Sequence, residues 1–435
     1  MAHSSHSHEI PLRRLDPLPN GLRLAGPVLT IIGLLVFIAA LLVDPARAWH
    51  SYLFNWIWAF GIAQGAVILA AVTTIAKGLW ARPIRRFAVS WAAFLPIAFV
   101  LMLPILIFGA DHIFPWIEHP VPGKEAYLNM PFLAVRNVLA LAALIGVSLY
   151  FAYVTLRPDL GMMRDGVDAR LHPLYMRLTR GWRGQEPEEF RAYKKLTVLA
   201  PVLVLLYALG MTFVGWDFFM SLEPHWFSTL FSPFLFMGAF LGGITLTIVV
   251  AVLYSRQHGF VGIVPPSGFH DLGKMFLGLT IFWAYLFFSH YIVIWYGKLP
   301  LEQEYLIHRL VMPFRVTSSI VFFMIFVIPF FGMLSVSAKR HTRILMTFAI
   351  ISLLGLWLER WTLVYPSLYI GTDTLPLGWR EIGMLPLFLG LMLMAHSWFA
   401  SRFPMFQSWQ PFSEVELQGV EFDAGVPHGT SDPVA

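Results

Sequence analysis

Hydrophobic positions along the chain gather into ten long stretches separated by shorter polar segments, at about 24–43, 51–76, 87–109, 132–156, 196–214, 227–254, 272–295, 313–336, 344–361 and 382–401. A helix needs about 20 mostly apolar residues to cross roughly 30 Å of hydrocarbon at 1.5 Å per residue. Each stretch meets that length, and lipid offers the backbone no hydrogen-bond partners, so the pattern predicts helices throughout. The fold class read from this is all-α: a polytopic membrane protein with ten transmembrane helices. The first stretch follows 23 polar residues and lacks a small-residue cleavage pattern, so it reads as a retained span and not a cleaved signal peptide.

Composition agrees: 57% of residues are hydrophobic and 13% charged, against about 25% charged in a soluble domain. The sequence has no Cys, which excludes a disulfide, a thiolate nucleophile and a cluster or zinc ion held by thiolates of this chain. The 30 Lys and Arg residues are distributed unevenly. Arg13, Arg14 and Arg23, the loops after even-numbered spans and Arg402 hold 22 of them, the odd loops six, and Arg136 and Arg315 open spans four and eight. Positive charge is retained in the cytoplasm during insertion, so both termini are expected there, in a bacterial cytoplasmic membrane. The net charge of +5 therefore reports topology and not nucleic acid. The loop 157–195 carries nine of these charges and reads as a surface for anionic lipid, with a docked subunit as the other reading. The chain divides into an arm (1–23), a membrane domain (24–402) and a tail (403–435), arm and tail being extended. His3, His6 and His8 fix no metal geometry.

Ionisable groups at membrane depth are functional candidates because each is costly unless paired or wet. Within the spans these are Gln64, Asn137, His290 with Tyr291 and Tyr296, Glu359 with Arg360, and His396. Two axial His could hold a haem only at similar depth. His290 falls roughly 27 Å from the inner end of its span and His396 roughly 8 Å, so haem is not expected. Glu359 and Arg360 are adjacent, about 100° apart on a helix, and are expected to pair with other helices or to anchor at the interface. At the outer face the segments 111–129 and 216–226 read as interfacial, the latter placing Asp217, Glu223 and His225 among aromatics.

Three runs carry a resemblance: WDFFMSLEPHWFSTLF at 216–231, HDLGKMFLGLTIFWAYLFFSHYIVIWYGKLP at 270–300 and LERWTLVYPSL at 358–368. They resemble the ten-helix NrfD, or polysulfide-reductase-type, membrane subunits, and in particular the second such subunit of alternative complex III, a quinol-oxidising electron-transfer complex. The resemblance implies two four-helix bundles, spans 2–5 and 6–9, flanked by spans 1 and 10. It implies no redox centre in this chain, with quinone, haem c and iron–sulfur clusters in partners: a sister ten-helix subunit, an iron–sulfur subunit, c-type cytochromes, small single-span subunits, lipids and a terminal oxidase. The implied role is structural, with a proton path; among the ionisable and polar groups of this chain, Asp217, Glu223, His225, His290, Tyr291, Tyr296, Glu359 and Arg360 are the candidates for that path or for a place close to a quinol. The chain departs from the family pattern where Glu302 and Glu304 follow Leu299–Pro300 late, and where His290 stands in a position that is often Gln.

Two other functions remain open from sequence. A quinol-binding subunit passing electrons to an external iron–sulfur partner would need an apolar slot that reaches lipid and ends at ionisable groups. A secondary transporter or channel would break helices beside polar ligands at the midplane; Pro96, Pro104, Pro329 and Pro386 occur without a midplane charge.

Overall fold

A computed structural model describes residues 12–409. Ten of its helices are long and apolar enough to cross a membrane: α1 (Asn20–Val43), α2 (Pro45–Ile75), α3 (Leu79–Ile113), α4 (Met130–Met163), α5 (Gln185–Leu222), α6 (Phe231–Tyr254), α7 (Pro266–Gly297), α8 (Phe314–Gly332), α9 (Thr342–Leu368) and α10 (Trp379–Arg402). Local chemistry sets several starts. Asp44 accepts from the Arg47 amide at 3.2 Å with Pro45 next to it, and Asn129 accepts from the Phe132 amide at 2.9 Å ahead of Pro131. Both combine a side-chain cap with a proline whose missing N–H the first turn does not need.

Helices α2–α5 form one four-helix bundle and α6–α9 the other, and the two meet along α2 and α6. Those two are the most enclosed: 94% of the apolar window of α2 and 78% of that of α6 is buried, against 17% for α1. Glycines allow the close approach, since a Cβ on Gly65 would collide with the backbone of Ala239 and one on Gly243 with the backbone of Gly65 and Ala66. Outside the bundles α1 lies along α10, with Gly33 against the Leu387 backbone and Gly390 against Thr30. The ten-span, two-bundle expectation therefore holds.

Element boundaries differ from the hydropathy pattern where helices continue into water. α5 begins at Gln185, eleven residues before the apolar run, because its polar first turns remain helical beyond the bilayer. The sequence also conceals breaks. α3 passes through a 3₁₀ turn at Ser90–Ala93 and a π turn at Ile105–Gly109, and α8 through a π turn at Phe323–Val327; Pro96, Pro104 and Pro329, which lack an N–H, lie at these points.

The N-terminal and C-terminal segments lie at the same face as the Lys- and Arg-rich loops, called here the basic face. Residues 12–19 and 403–409 are extended but packed, while residues 20–23, expected in the extended arm, belong to α1. Leu15 donates to the Ala400 carbonyl and Met405 to that of Arg13, each at 2.9 Å, while Phe406 and Trp409 are buried. His3, His6 and His8 and the acidic end of the tail lie outside the described residues.

Candidate functional site

The second bundle contains a slot near the face opposite the basic one. Its roof is a short helix, Pro300–Leu310, that follows α7. One turn separates Tyr305 from Arg309, so both side chains point inward. The Arg309 guanidinium lies 3.4 Å from the Tyr305 ring centroid and donates to Ser367 Oγ at 2.7 Å, to the Leu363 carbonyl at 3.1 Å and to Glu223 Oε1 at 3.2 Å. His308 Nδ1 stands 3.7 Å from the same carboxylate. Burial by itself would raise the Glu223 carboxyl; the contact with His308 and the charge of Arg309 outweigh it and hold the group at about 2.

Below the roof three rings stack. Trp226 lies face to face with Tyr305, centroids 3.6 Å apart, and His290 lies 5.6 Å from Trp226 and 6.0 Å from Tyr305. His290 Nε2 is buried with no hydrogen-bond partner, which a polar group tolerates only beside water or a ligand. The deep end holds Glu359 and Arg360. Arg360 Nη1 meets Glu359 Oε2 at 2.9 Å, Trp283 Nε1 donates to Glu359 Oε1 at 2.7 Å, and Arg360 Nη2 donates to the Leu235 carbonyl at 3.1 Å. The bonds from Trp283 of α7 and to the Leu235 carbonyl of α6 are the expected pairing with other helices, and two features depart from the sequence reading. The adjacent residues pair with each other, because long side chains bridge the 100° between their Cα directions, and they are buried inside the bundle instead of anchoring at its edge. Gly238 faces them because a Cβ there would stand 3.0 Å from Arg360 Nη2.

The cavity between roof and floor measures about 90 Å³. Its walls are Phe231, Phe234, Phe287 and Val321, with Tyr291, Ser318 and Thr362 as further polar lining. Phe287 and Leu310 at the rim are exposed on the outer surface of the bundle, so the mouth faces lipid.

The remaining predicted residues are elsewhere. Asp217 belongs to the first bundle, where Arg136 grips it with two bonds of 2.7 and 2.5 Å, Asn137 Nδ2 donates at 2.5 Å and the Tyr127 hydroxyl at 3.1 Å. The Arg136 guanidinium also lies over the Tyr127 ring at 3.7 Å. Burial, followed by the Asp217 charge, pushes the Tyr127 phenol up. His225 and Tyr296 are exposed and join neither group. His396 is toward the basic face, between Ser90 Oγ and Tyr254 hydroxyl at 3.0 Å each, well separated in depth from His290. Gln64 donates to Ser148 Oγ at 3.0 Å and ties α2 to α4.

Sequence reasoning missed a third cluster, where α2, α9 and α10 meet. Glu381, fully buried, receives Arg47 at 2.6 and 3.1 Å, Tyr365 at 2.9 Å and the Gly378 amide at 2.7 Å. Ser51 Oγ bonds the Tyr365 hydroxyl at 2.8 Å, and nearby His50 bridges the Tyr369 hydroxyl and the His112 carbonyl. The signal that could have found it is the run of polar residues Arg47, His50, Ser51 and Asn55 on a helix buried on all sides. At the basic face Arg86 and Asp159 form a second buried ion pair that sequence reasoning missed, with Ser408 of the tail bonding Asp159 at 2.7 Å. Among the described residues no group of three or more His, Asp or Glu is arranged to hold a metal ion.

Compared with known proteins, the chain matches the family model of NrfD, polysulphide reductase, over residues 43–371, from the end of α1 to the loop after α9. No curated protein matches the chain. Members of that family are membrane subunits linked to quinone-dependent electron transfer and partner iron–sulfur subunits in redox complexes.

Proposed function

This chain belongs to the NrfD family, and from that premise we propose that it is an integral subunit of a quinol-oxidising complex of the alternative complex III type, with no redox centre of its own. Its basic face is the cytoplasmic one. In this reading the iron–sulfur clusters and c-type haems are held by partner subunits, because no Cys is present here to bind them, and a sister ten-helix subunit shares the membrane. The contribution of this chain is a proton path in the second bundle, between the opposite face and Glu359.

The observation that carries the proposal is the slot. Tyr305 and Arg309 line its roof with Glu223 and His308 behind them, the unpartnered His290 Nε2 stands within reach of its middle, and Glu359 lies at its floor. A volume of about 90 Å³ exceeds several-fold the roughly 10–15 Å³ that one water needs. On α9 Glu359 lies eight residues before Ser367, which binds Arg309 at the roof, and a short water chain can therefore bridge the separation of about 12 Å. Arg360 beside Glu359 lowers the cost of a buried carboxylate, so that the floor group can hold or release a proton without leaving an isolated charge.

One observation favours a second reading. The slot opens to lipid at Phe287 and Leu310 and ends at His290 and Glu359, the apolar passage to ionisable groups that a quinol site requires. Its aromatic walls and its opening to lipid fit a quinol head group, with His290 positioned to accept the hydroxyl proton. Replacing Glu359 by Gln in the purified complex separates the two. The proton path requires proton movement per electron to fall about tenfold or more with quinol oxidation largely kept. Equal loss of both, with weakened binding of a quinol-competitive inhibitor, supports the quinol site. If neither changes, both readings fail.

A further inference from the structure

We propose that a notch between α4 and α5 at the basic face binds the phosphate headgroup of an anionic phospholipid. This site is independent of the slot and lies on the other side of the membrane. The notch has a volume of about 250 Å³ and is lined by Tyr153, Arg157, Glu188, Arg191 and Lys195.

Two guanidiniums share one carboxylate, and an ammonium lines the same notch. Arg157 is held rigidly: Nε donates to Glu188 at 2.7 Å, Nη1 to the Tyr153 hydroxyl at 2.8 Å and to the Leu178 carbonyl at 3.0 Å, and Nη2 to the Arg180 carbonyl at 3.1 Å. Arg191 reaches the same carboxylate at 3.0 Å with one Nη only, leaving its other donors for a ligand. Lys195, one turn further, has no ion pair among the described residues. Glu188 is thus shared by two guanidiniums and leaves the notch with an excess of positive charge, which a phosphate would balance with charge-assisted bonds from the fork of Arg191 and the ammonium of Lys195.

Height selects the source of the phosphate. Arg157 directly follows the apolar run of α4, and Lys195 directly precedes that of α5, so the notch is at the level of lipid headgroups. Below it the same two helices expose Leu149, Val198, Val202 and Leu205, a surface for acyl chains. A basic pocket between spans at the positively charged face is the geometry in which anionic headgroups are recognised. A soluble phosphate compound would make no use of those exposed side chains.

The test uses the full chain in mild detergent, titrated with phosphatidylglycerol or phosphatidylcholine and read by native mass spectrometry. The site predicts retention of phosphatidylglycerol over phosphatidylcholine. The R191Q/K195Q variant should lose that preference by about thirtyfold, each charge near the membrane surface being worth roughly a fivefold change. E188Q should strengthen retention, because the competing carboxylate charge is gone; a role confined to folding would weaken it instead. Should E188Q fail to fold, K195Q alone, at a position outside the ion-pair set, must still reduce retention about fivefold. Equal retention of both lipids, an R191Q/K195Q variant identical to the parent, or full displacement of the lipid by millimolar inorganic phosphate would each overturn the proposal, the last by showing a site for free anions.

Discussion

The first bundle holds its charge pair near the opposite face, where Asp217 receives Arg136, Asn137 and Tyr127 at once. In the second bundle the corresponding charges are split into two levels, Glu223–Arg309 at the roof and Glu359–Arg360 at the floor, with a cavity between them. A carboxylate that already receives a bidentate guanidinium and two further donors has its acceptor positions filled, so the first bundle is built as a clamp. A carboxylate held by one indole and one neighbouring guanidinium lies next to open space and an unsatisfied imidazole nitrogen, as the proposed proton path requires. Chemically similar residues thus serve stability in one half and leave room for chemistry in the other.

The sharpest way to break this contrast is Asp217→Asn. It leaves Arg136 buried without its counter-charge, which costs about 3–5 kcal/mol, and the chain should melt far earlier or fail to assemble. A stable variant with impaired proton movement would assign chemistry to the first bundle and erase the distinction. Glu223→Gln comes next. Because the folded carboxyl is held at about 2, below its ordinary 4.5, its stabilisation is fully present above about pH 4.5 and is lost as pH falls toward 2. Melting at neutral pH should show a loss of about 2–3 kcal/mol, and the gap to the parent should close on acidification. Gly238→Ala is a smaller probe of the floor. The new Cβ would press on Arg360 Nη2, costing on the order of 1 kcal/mol, and should slow turnover more than it lowers the melting temperature. At the bottom of the scale, Tyr296→Phe and His225→Ala should stay within about 0.5 kcal/mol in stability and leave turnover unchanged; a large effect from either would mean that a partner subunit uses this surface.

The slot is legible in the sequence only in pieces. His290, Glu359 and Arg360 stand out because polar groups are rare in apolar runs, and Glu223 because it sits among interfacial aromatics. Arg309 reads only as a loop charge, and nothing along the chain joins it to Glu223, 86 residues away. Glu381 escapes notice because it opens α10, where an acidic residue is ordinary at a helix start; its partner Arg47 is 334 residues distant. Asp217 is conspicuous among its aromatics, but its partner Arg136 reads only as the start of a span.

The features legible along the chain follow from the bilayer as solvent. Unpaired backbone groups are excluded from lipid and positive charge is retained on one side, so ten all-helical spans and a basic face can be read residue by residue, and three local runs suffice to suggest a family. The tertiary structure alone decided which buried charge meets which, where packing is complete and where a cavity remains. Those outcomes depend on close approaches between helices distant in the chain, at Gly65 and Gly243 or at Gly238 and Arg360, and such contacts leave no period or spacing in a linear sequence.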